Sequence, residues 1–255
     1  MKKVLYALFI ALVAVFCPAL ADNQELVVGT TSGYAPYVSL DAQGNYEGFD
    51  IDVAKELAQK LNKKLVIKDF GSMPSLMLAL KQGKADALIW AISITNERQQ
   101  KMEMVYYQGE KVLELPLLFW KEVPKDITSF QDLAKDPKRA ICVEAGTFQE
   151  DVLKKTPNVN MKYTDKIMDA ILEIKYGKSF ATIVDPSLVK RFQAQYPEIK
   201  VLQLPLAPQD QSLGNGICIN KKNQELAGQV RKAIEELRTE GKIAELEKKW
   251  KLAND

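Results

Sequence analysis

Histidine is absent from the 255 residues, and cysteine occurs only three times. Without imidazole the chain cannot build a Ser-His-Asp or Cys-His nucleophile pair, a His-ligated zinc centre, an H-E-x-x-H protease site or an imidazole pH sensor. Any catalysis would rest on Asp, Glu, Lys, Tyr or Cys. An excess of charge is lacking as well, with 35 Lys+Arg against 33 Asp+Glu. With 13 Gly and 11 Pro in a chain that is 47% hydrophobic, collagen-like, disordered and disulfide-scaffold classes are excluded. What is there suits one large globular domain or two smaller ones.

The amino end reads as a segment outside the fold. Lys2 and Lys3 precede an apolar run from Val4 to Phe16, and Pro18 is followed by Ala19, Leu20 and Ala21. A basic start, a short apolar stretch and small residues at alternate positions predict a secretory signal over residues 1–21, cleaved after Ala21. No later run is long enough to span a bilayer. A rival route lipidates Cys17, which the bulky Phe16 before it opposes. The expected location is the periplasm.

Cleavage removes two lysines and no acids, which leaves 33 basic and 33 acidic residues. So balanced a charge offers no footprint for nucleic acid or an anionic membrane. A small molecule or a protein is the expected partner, and no cofactor or metal is expected. Cys142 and Cys218 sit in separate apolar runs and read as two buried thiols, although an oxidising compartment would permit one bridge.

From Val27 onward strand-like and helix-like stretches alternate. Leu26 to Val28 is a short strand, Asp41 to Gly48 a turn-rich loop, and Val53, Leu57 and Leu61 mark an amphipathic helix with Asp50 as its N-cap. A strand at Leu65–Ile67, a helix at Leu76–Gln82 and a strand at Ala87–Ile92 follow. The same grammar restarts with a strand at Ala140–Val143, a helix from about Gln149, a strand at Val159–Tyr163, a helix at Ile167–Tyr176 and a strand at Phe180–Val184. Alternation of this kind predicts mainly parallel sheets with covered faces. Extended stretches at Tyr106–Trp120 and Val201–Ile219 lie between the two halves. Val230, Ile234 and Leu237, then Ile243, Leu246 and Trp250, stripe a terminal helix pair broken by Gly241. The expectation is an α/β fold of two similar lobes joined by two hinge strands: residues 22–108 and 213–255 form the first lobe, and 109–212 the second. A cleft between hinged lobes is a preferred ligand site.

Four blocks then carry a resemblance: Val28-Gly29-Thr30 with Tyr34-Ala35-Pro36-Tyr37; Gly48-Phe49-Asp50-Ile51-Asp52-Val53; Gly83-Lys84-Ala85-Asp86-Ala87 with Ser93-Ile94-Thr95-Asn96-Glu97-Arg98; and Leu237-Arg238-Thr239-Glu240-Gly241-Lys242 with Lys248-Lys249-Trp250. In order and at normal spacing, they make the chain resemble the periplasmic amino-acid-binding proteins of ABC importers, the type II periplasmic binding proteins of the polar amino acid branch. The resemblance implies a non-enzymatic monomer that closes on a free amino acid and docks on a membrane permease.

An amino acid presents a carboxylate and an ammonium on one carbon. By resemblance, Arg98 is the carboxylate clamp, a role its planar fork suits. Ser93 and Ala91 add hydroxyl and backbone contacts. Thr147 and Phe148, in the Gly-Thr turn that opens a helix, join the carboxylate cradle. Asp185 matches the aspartate that pairs with the ammonium, and it would also serve as an N-cap. Tyr34, Trp90 and Glu144 map to positions facing the ligand side chain. An acid in a partly dry cleft needs a cation, and two aromatic faces suit a flat guanidinium, so a basic ligand, arginine first, is expected. Thr31 stands where several relatives carry an acid, and Met73 near where some carry a stacking phenylalanine. The alternative is an enzyme on the same scaffold, such as a cyclohexadienyl dehydratase-like protein, with Glu144 or Asp185 as a general acid.

Overall fold

The computed structural model describes residues 25–252. The signal segment and Cys17 lie outside the described residues. Two five-stranded mixed sheets organise the chain, each flanked by helices, in the two-lobed α/β arrangement that the resemblance implies.

The first sheet draws on β1 (Glu25–Thr30) and, beyond a small hairpin of β2 (Ser39–Leu40) and β3 (Tyr46–Glu47) and helix α1 (Phe49–Lys60), on β4 (Lys64–Asp69). Helix α2 (Met73–Lys81) leads to β5 (Ala87–Leu88), and α3 (Asn96–Lys101) to β6 (Met102–Gln108). The second sheet starts with β7 (Glu114–Trp120) and β8 (Ile141–Glu144), then α4 (Phe148–Leu153), β9 (Met161–Thr164), α5 (Ile167–Lys175), β10 (Ala181–Ile183), α6 (Val189–Gln195) and β11 (Ile199–Pro205). The chain returns as β12 (Asn215–Asn220), α7 (Gln224–Thr239) and α8 (Lys242–Lys249).

The sheet orders are β4-β1-β5-β12-β6 and β11-β7-β10-β8-β9. In each, three parallel strands are followed by two antiparallel pairings, so that one strand, β12 or β7, runs against the other four. The strand that enters each sheet from the other side, β12 or β7, lies inside, and the strand that leaves, β6 or β11, takes an edge. The two crossings run side by side, bridged at Val112 and Ser212, and the Asn215 amide donates to Gln108 Oε1 at 2.8 Å. The extended run 106–120 is therefore two strands in different sheets, not one.

The terminal helix pair packs on the first sheet's core, where Val230, Ile234, Leu237, Ile243 and Leu246 are buried with Val53 and Leu57 of α1. Asp52 of α1 fixes it there, accepting from Lys249 Nζ at 2.6 Å and Trp250 Nε1 at 2.9 Å. Cys142 in β8 and Cys218 in β12 are buried free thiols in different sheets. Among the described residues no helix is long and apolar enough to cross a membrane.

Two local readings change. Asp50 is not the N-cap of α1: Gly48 holds that place, at φ 131°. A Cβ on Gly48 would sit 2.0 Å from the Tyr37 carbonyl oxygen, so the close approach demands glycine. Gly48→Ala is expected to cost about 3 kcal/mol or more, because it combines a disfavoured φ with a backbone clash. Thermal denaturation checks this, as a fall in Tm of at least about 6 °C. The strand at 87–92 is also shorter than expected, since only Ala87 and Leu88 pair in the ladder. Ala91 turns the chain aside with φ 43°, its N–H donating to Asp50 Oδ2 at 2.7 Å.

Candidate functional site

In open α/β sheets, ligands collect beyond the carboxyl ends of parallel strands. Here two such sets of ends face each other. Beyond β1 and β5 come Tyr34 and the segment from Trp90 to Ser93, and beyond β8 and β10 come Glu144, Thr147 and Asp185. Tyr34, Trp90, Ala91, Ser93, Arg98, Glu144, Thr147, Phe148 and Asp185 all line one cleft between the sheets, so the positions singled out by sequence are brought together. The free volume between them is about 30 Å³. That holds little more than a water molecule, so the lobes must part to admit anything larger.

Among the described residues Arg98 is the one arginine lining this cleft, only 6% exposed. It belongs to α3, whose N-cap Thr95 accepts the Arg98 N–H at 3.2 Å. Its Nη1 donates to the Ser93 carbonyl at 3.1 Å, and its Nη2 to the Gly146 carbonyl, across the cleft, at 3.1 Å. Asp151 of α4 lies 3.5 Å from Nη2. Burial draws the guanidinium pKa down, yet a guanidinium stays charged through the physiological range.

On the facing lobe Thr147 caps α4: its hydroxyl donates to the Glu144 carbonyl at 2.7 Å and receives the Glu150 N–H at 3.4 Å. The Gly146 N–H donates to Glu150 Oε2 at 2.5 Å. The amides of Thr147, Phe148 and Gln149 remain, as a helix start leaves its first amides without intrahelical acceptors. Gly146 itself, at φ 75°, lies so close to α2 that a Cβ would meet Pro74 Cδ at 3.0 Å and Met73 Cβ at 3.2 Å.

Asp185 caps the turn that follows it and also lines the cleft. Its Oδ1 accepts from Ser187 N–H at 2.9 Å and Ser187 Oγ at 2.5 Å. Burial raises its pKa, and the Ser187 hydrogen bonds work the other way. Glu144 is more extreme. It is 6% exposed, its carboxyl makes no hydrogen bond or ion pair among the described residues, and burial, then Asp165 and Asp169, push its pKa to about 8. Tyr34 lies beside it with its ring tilted against Trp90, centroids 5.2 Å apart and planes inclined at 51°, and packs on the cores of both lobes. The buried Trp90 Nε1 finds no acceptor among the described residues.

The support for Ala91 comes from Asp50, which sequence reading placed elsewhere. Asp50 is fully buried, accepts from Ala91 N–H and from Tyr107 Oη at 2.7 Å, and is pushed to about 7 by burial against the pull of those two bonds. With its N–H so engaged, Ala91 has its carbonyl left for a further contact. Tyr107→Phe removes a bond that favours the charged carboxylate, so it should raise the Asp50 pKa further. It is expected to cost about 1–3 kcal/mol. The loss should be larger at pH 8 than at pH 5, because the ionised carboxylate loses more with the donor than the neutral acid does; denaturant midpoints at the two pH values check this.

Asp151 was not singled out by sequence. One helical turn beyond Thr147, it shares a face with the capped turn, but its pairing with Arg98 crosses from one lobe to the other. Among the described residues no cluster of three His, Cys, Asp or Glu side chains could hold a metal ion.

The sequence model of the bacterial extracellular solute-binding proteins, family 3, matches residues 26–253. A protein named probable ABC transporter arginine-binding protein ArtJ, from Chlamydia trachomatis, is 33% identical over 263 residues, spanning 99% of this chain and 98% of that one. Among solved structures, an ancestral arginine-binding protein bound to arginine matches with a TM-score of 0.77 at 28% identity, over 89% of this chain and 97% of that one. An ancestral amino acid-binding protein described as a precursor of cyclohexadienyl dehydratase matches with a TM-score of 0.74, also at 28% identity, over 89% of this chain and 94% of its own. The type II periplasmic binding protein architecture is thus common to the sheet topology and to its structural neighbours. The family match runs across the described residues and includes both sides of the cleft, and the chain belongs to the bacterial extracellular solute-binding proteins, family 3.

Proposed function

We propose that the protein is an extracytoplasmic carrier that captures a free basic amino acid, arginine first, between its lobes and delivers it to the permease of an ABC importer. Residues 1–21 direct export, 22–108 and 213–255 make the first lobe, and 109–212 the second. Arg98 takes the α-carboxylate together with the Thr147 and Phe148 amides and Ser93. Asp185 and the Ala91 carbonyl take the α-ammonium. Tyr34 and Trp90 stack on the side chain, and Glu144 pairs with its cationic end.

Glu144 is the observation that carries the choice of ligand. A buried carboxyl without a bonded cation in the protein is costly, and a guanidinium beside it would supply the missing charge. The two relatives named for arginine support the same reading. One observation favours a second ligand class: Trp90 Nε1 is a buried donor without an acceptor among the described residues, and a neutral Glu144 can donate too, which together suit the side-chain carbonyl of an amide such as glutamine. The dehydratase reading is less well supported, because a cation and a carboxylate on the cleft wall match both charged groups of a free amino acid, whereas a keto acid has no ammonium for Asp185.

Thermal denaturation of the refolded protein against the common amino acids tests this. A ligand at 100 times its dissociation constant adds about 2.7 kcal/mol, which is about 5–10 °C for a protein of this size. A rise largest with arginine supports the reading. A rise largest with glutamine transfers it to the amide class, and no rise with any amino acid brings the enzyme forward.

A further inference from the structure

More acceptors crowd Arg98 than an open clamp would have. Nη2 carries two hydrogens, and two acceptors already stand within 3.5 Å of it: the Gly146 carbonyl at 3.1 Å and Asp151 Oδ2 at 3.5 Å. Nη1 is committed in part to the Ser93 carbonyl at 3.1 Å. A carboxylate that takes the parallel Nη1 and Nη2 fork must therefore displace an acceptor. The Gly146 carbonyl is backbone, fixed by the turn. Asp151 is a side chain, about one-third exposed, on the wall of a groove of about 320 Å³ between α3 and α4 into which it can swing. It also carries the same charge as the incoming group.

The other acids nearby have partners of their own. Glu150 pairs with Lys154 at 2.5 Å and Glu97 with Lys101 at 2.6 Å, while on the far groove wall Asp210 pairs with Lys155 at 2.5 Å. Among the described residues, Asp151 is the sole ion-pair partner of Arg98.

We propose that Asp151 sets the affinity of the cleft by competing with the α-carboxylate of the bound amino acid for Arg98, so that retention is weakened and release eased. The inference rests on the reading of Arg98 as the carboxylate clamp. It makes Asp151 a specificity-neutral affinity residue: every free amino acid presents the same carboxylate, so arginine, lysine and glutamine should gain alike when Asp151 is neutralised.

The test is calorimetric titration of the wild type, Asp151→Asn and Asp210→Asn with L-arginine, L-lysine and L-glutamine, at low and at physiological salt. Asp151→Asn keeps the shape and removes the charge. It is expected to bind each amino acid that the wild type binds about 3–10-fold more tightly at low salt, with a smaller gain at physiological salt, since the competing charge is partly exposed and screened. Asp210→Asn makes the same change in net charge in the same groove and should stay within about twofold of the wild type. Unchanged or weaker binding by Asp151→Asn overturns the inference, as does an equal gain in Asp210→Asn. A wild type that binds no free amino acid takes down the carrier reading and this inference together, whereas a wild type that binds and an Asp151→Asn protein that binds no tighter takes down the inference alone.

Discussion

Arg98→Ala should abolish useful ligand binding, weakening it by about 10²–10³-fold. Breaking a buried charge pair from one side costs about 3–5 kcal/mol, because the partner charge is left in a dry site without compensation. Arg98 is buried to 6% exposure and lies at the centre of the carbonyls of Ser93 and Gly146, so no neighbouring cation can move into its place without disturbing both lobes. Arg98→Lys should recover part of the loss, since it restores a point charge but not the two parallel donors. Calorimetry measures both. The Tm of each variant without ligand separates a lost clamp from a damaged fold, and the account expects the binding loss to exceed what the change in stability explains.

Glu144→Gln should act in opposite directions on stability and on binding. The folded-state pKa of about 8 lies above the ordinary glutamate value of 4.5, so the fold disfavours the charged form. For a carboxyl raised in this way the protein is unpenalised below pH 4.5, and loses stability as pH rises from there to about 8. The full penalty is on the order of 5 kcal/mol. Glu144→Gln removes it. The variant should therefore be more stable than the wild type at pH 8–9 by a few kcal/mol, and the two should converge near pH 4.5. Arginine affinity should nevertheless fall by about 10–100-fold, because the amide cannot pair with the guanidinium. A pH series of denaturation midpoints and an arginine titration read the two effects separately. For the wild type, arginine should bind more tightly as pH rises from 5 to 8, since the carboxyl must ionise to meet a cation.

These expectations trace back to features that differ in how far the sequence reveals them. The alternation of strands and helices, the α1 stripe of Val53, Leu57 and Leu61, and the stripes of the terminal helix pair are local periodicities, and each appears in the structure near its expected place. The cleft residues were legible through the family resemblance of the four blocks, since a Gly-Thr turn before a helix and an Asp-Pro after a strand mark by themselves only a helix start and a cap. Asp50 misled for a physical reason. An aspartate ahead of a helical stripe reads as a cap, yet this one is drawn inward by donors at positions 91 and 107. β5 ends at Leu88, and three residues on Ala91 takes a positive φ with its N–H on Asp50. The apolar run 106–120 hid a crossing between sheets, since hydrophobicity does not reveal which sheet a strand joins. Asp151 stayed hidden because its partner arrives from the other lobe.

The most direct test compares L-arginine with L-citrulline by calorimetry at pH 8 on the refolded protein. Citrulline keeps the α-carboxylate, the α-ammonium and nearly the shape of arginine, but its side chain ends in a neutral urea. If Arg98 and Asp185 hold the shared end and Glu144 the cationic one, arginine binds one to one, and citrulline binds at least about tenfold more weakly, a gap of about 1.4 kcal/mol. Equal or tighter binding of citrulline, or no binding of arginine, would contradict the account.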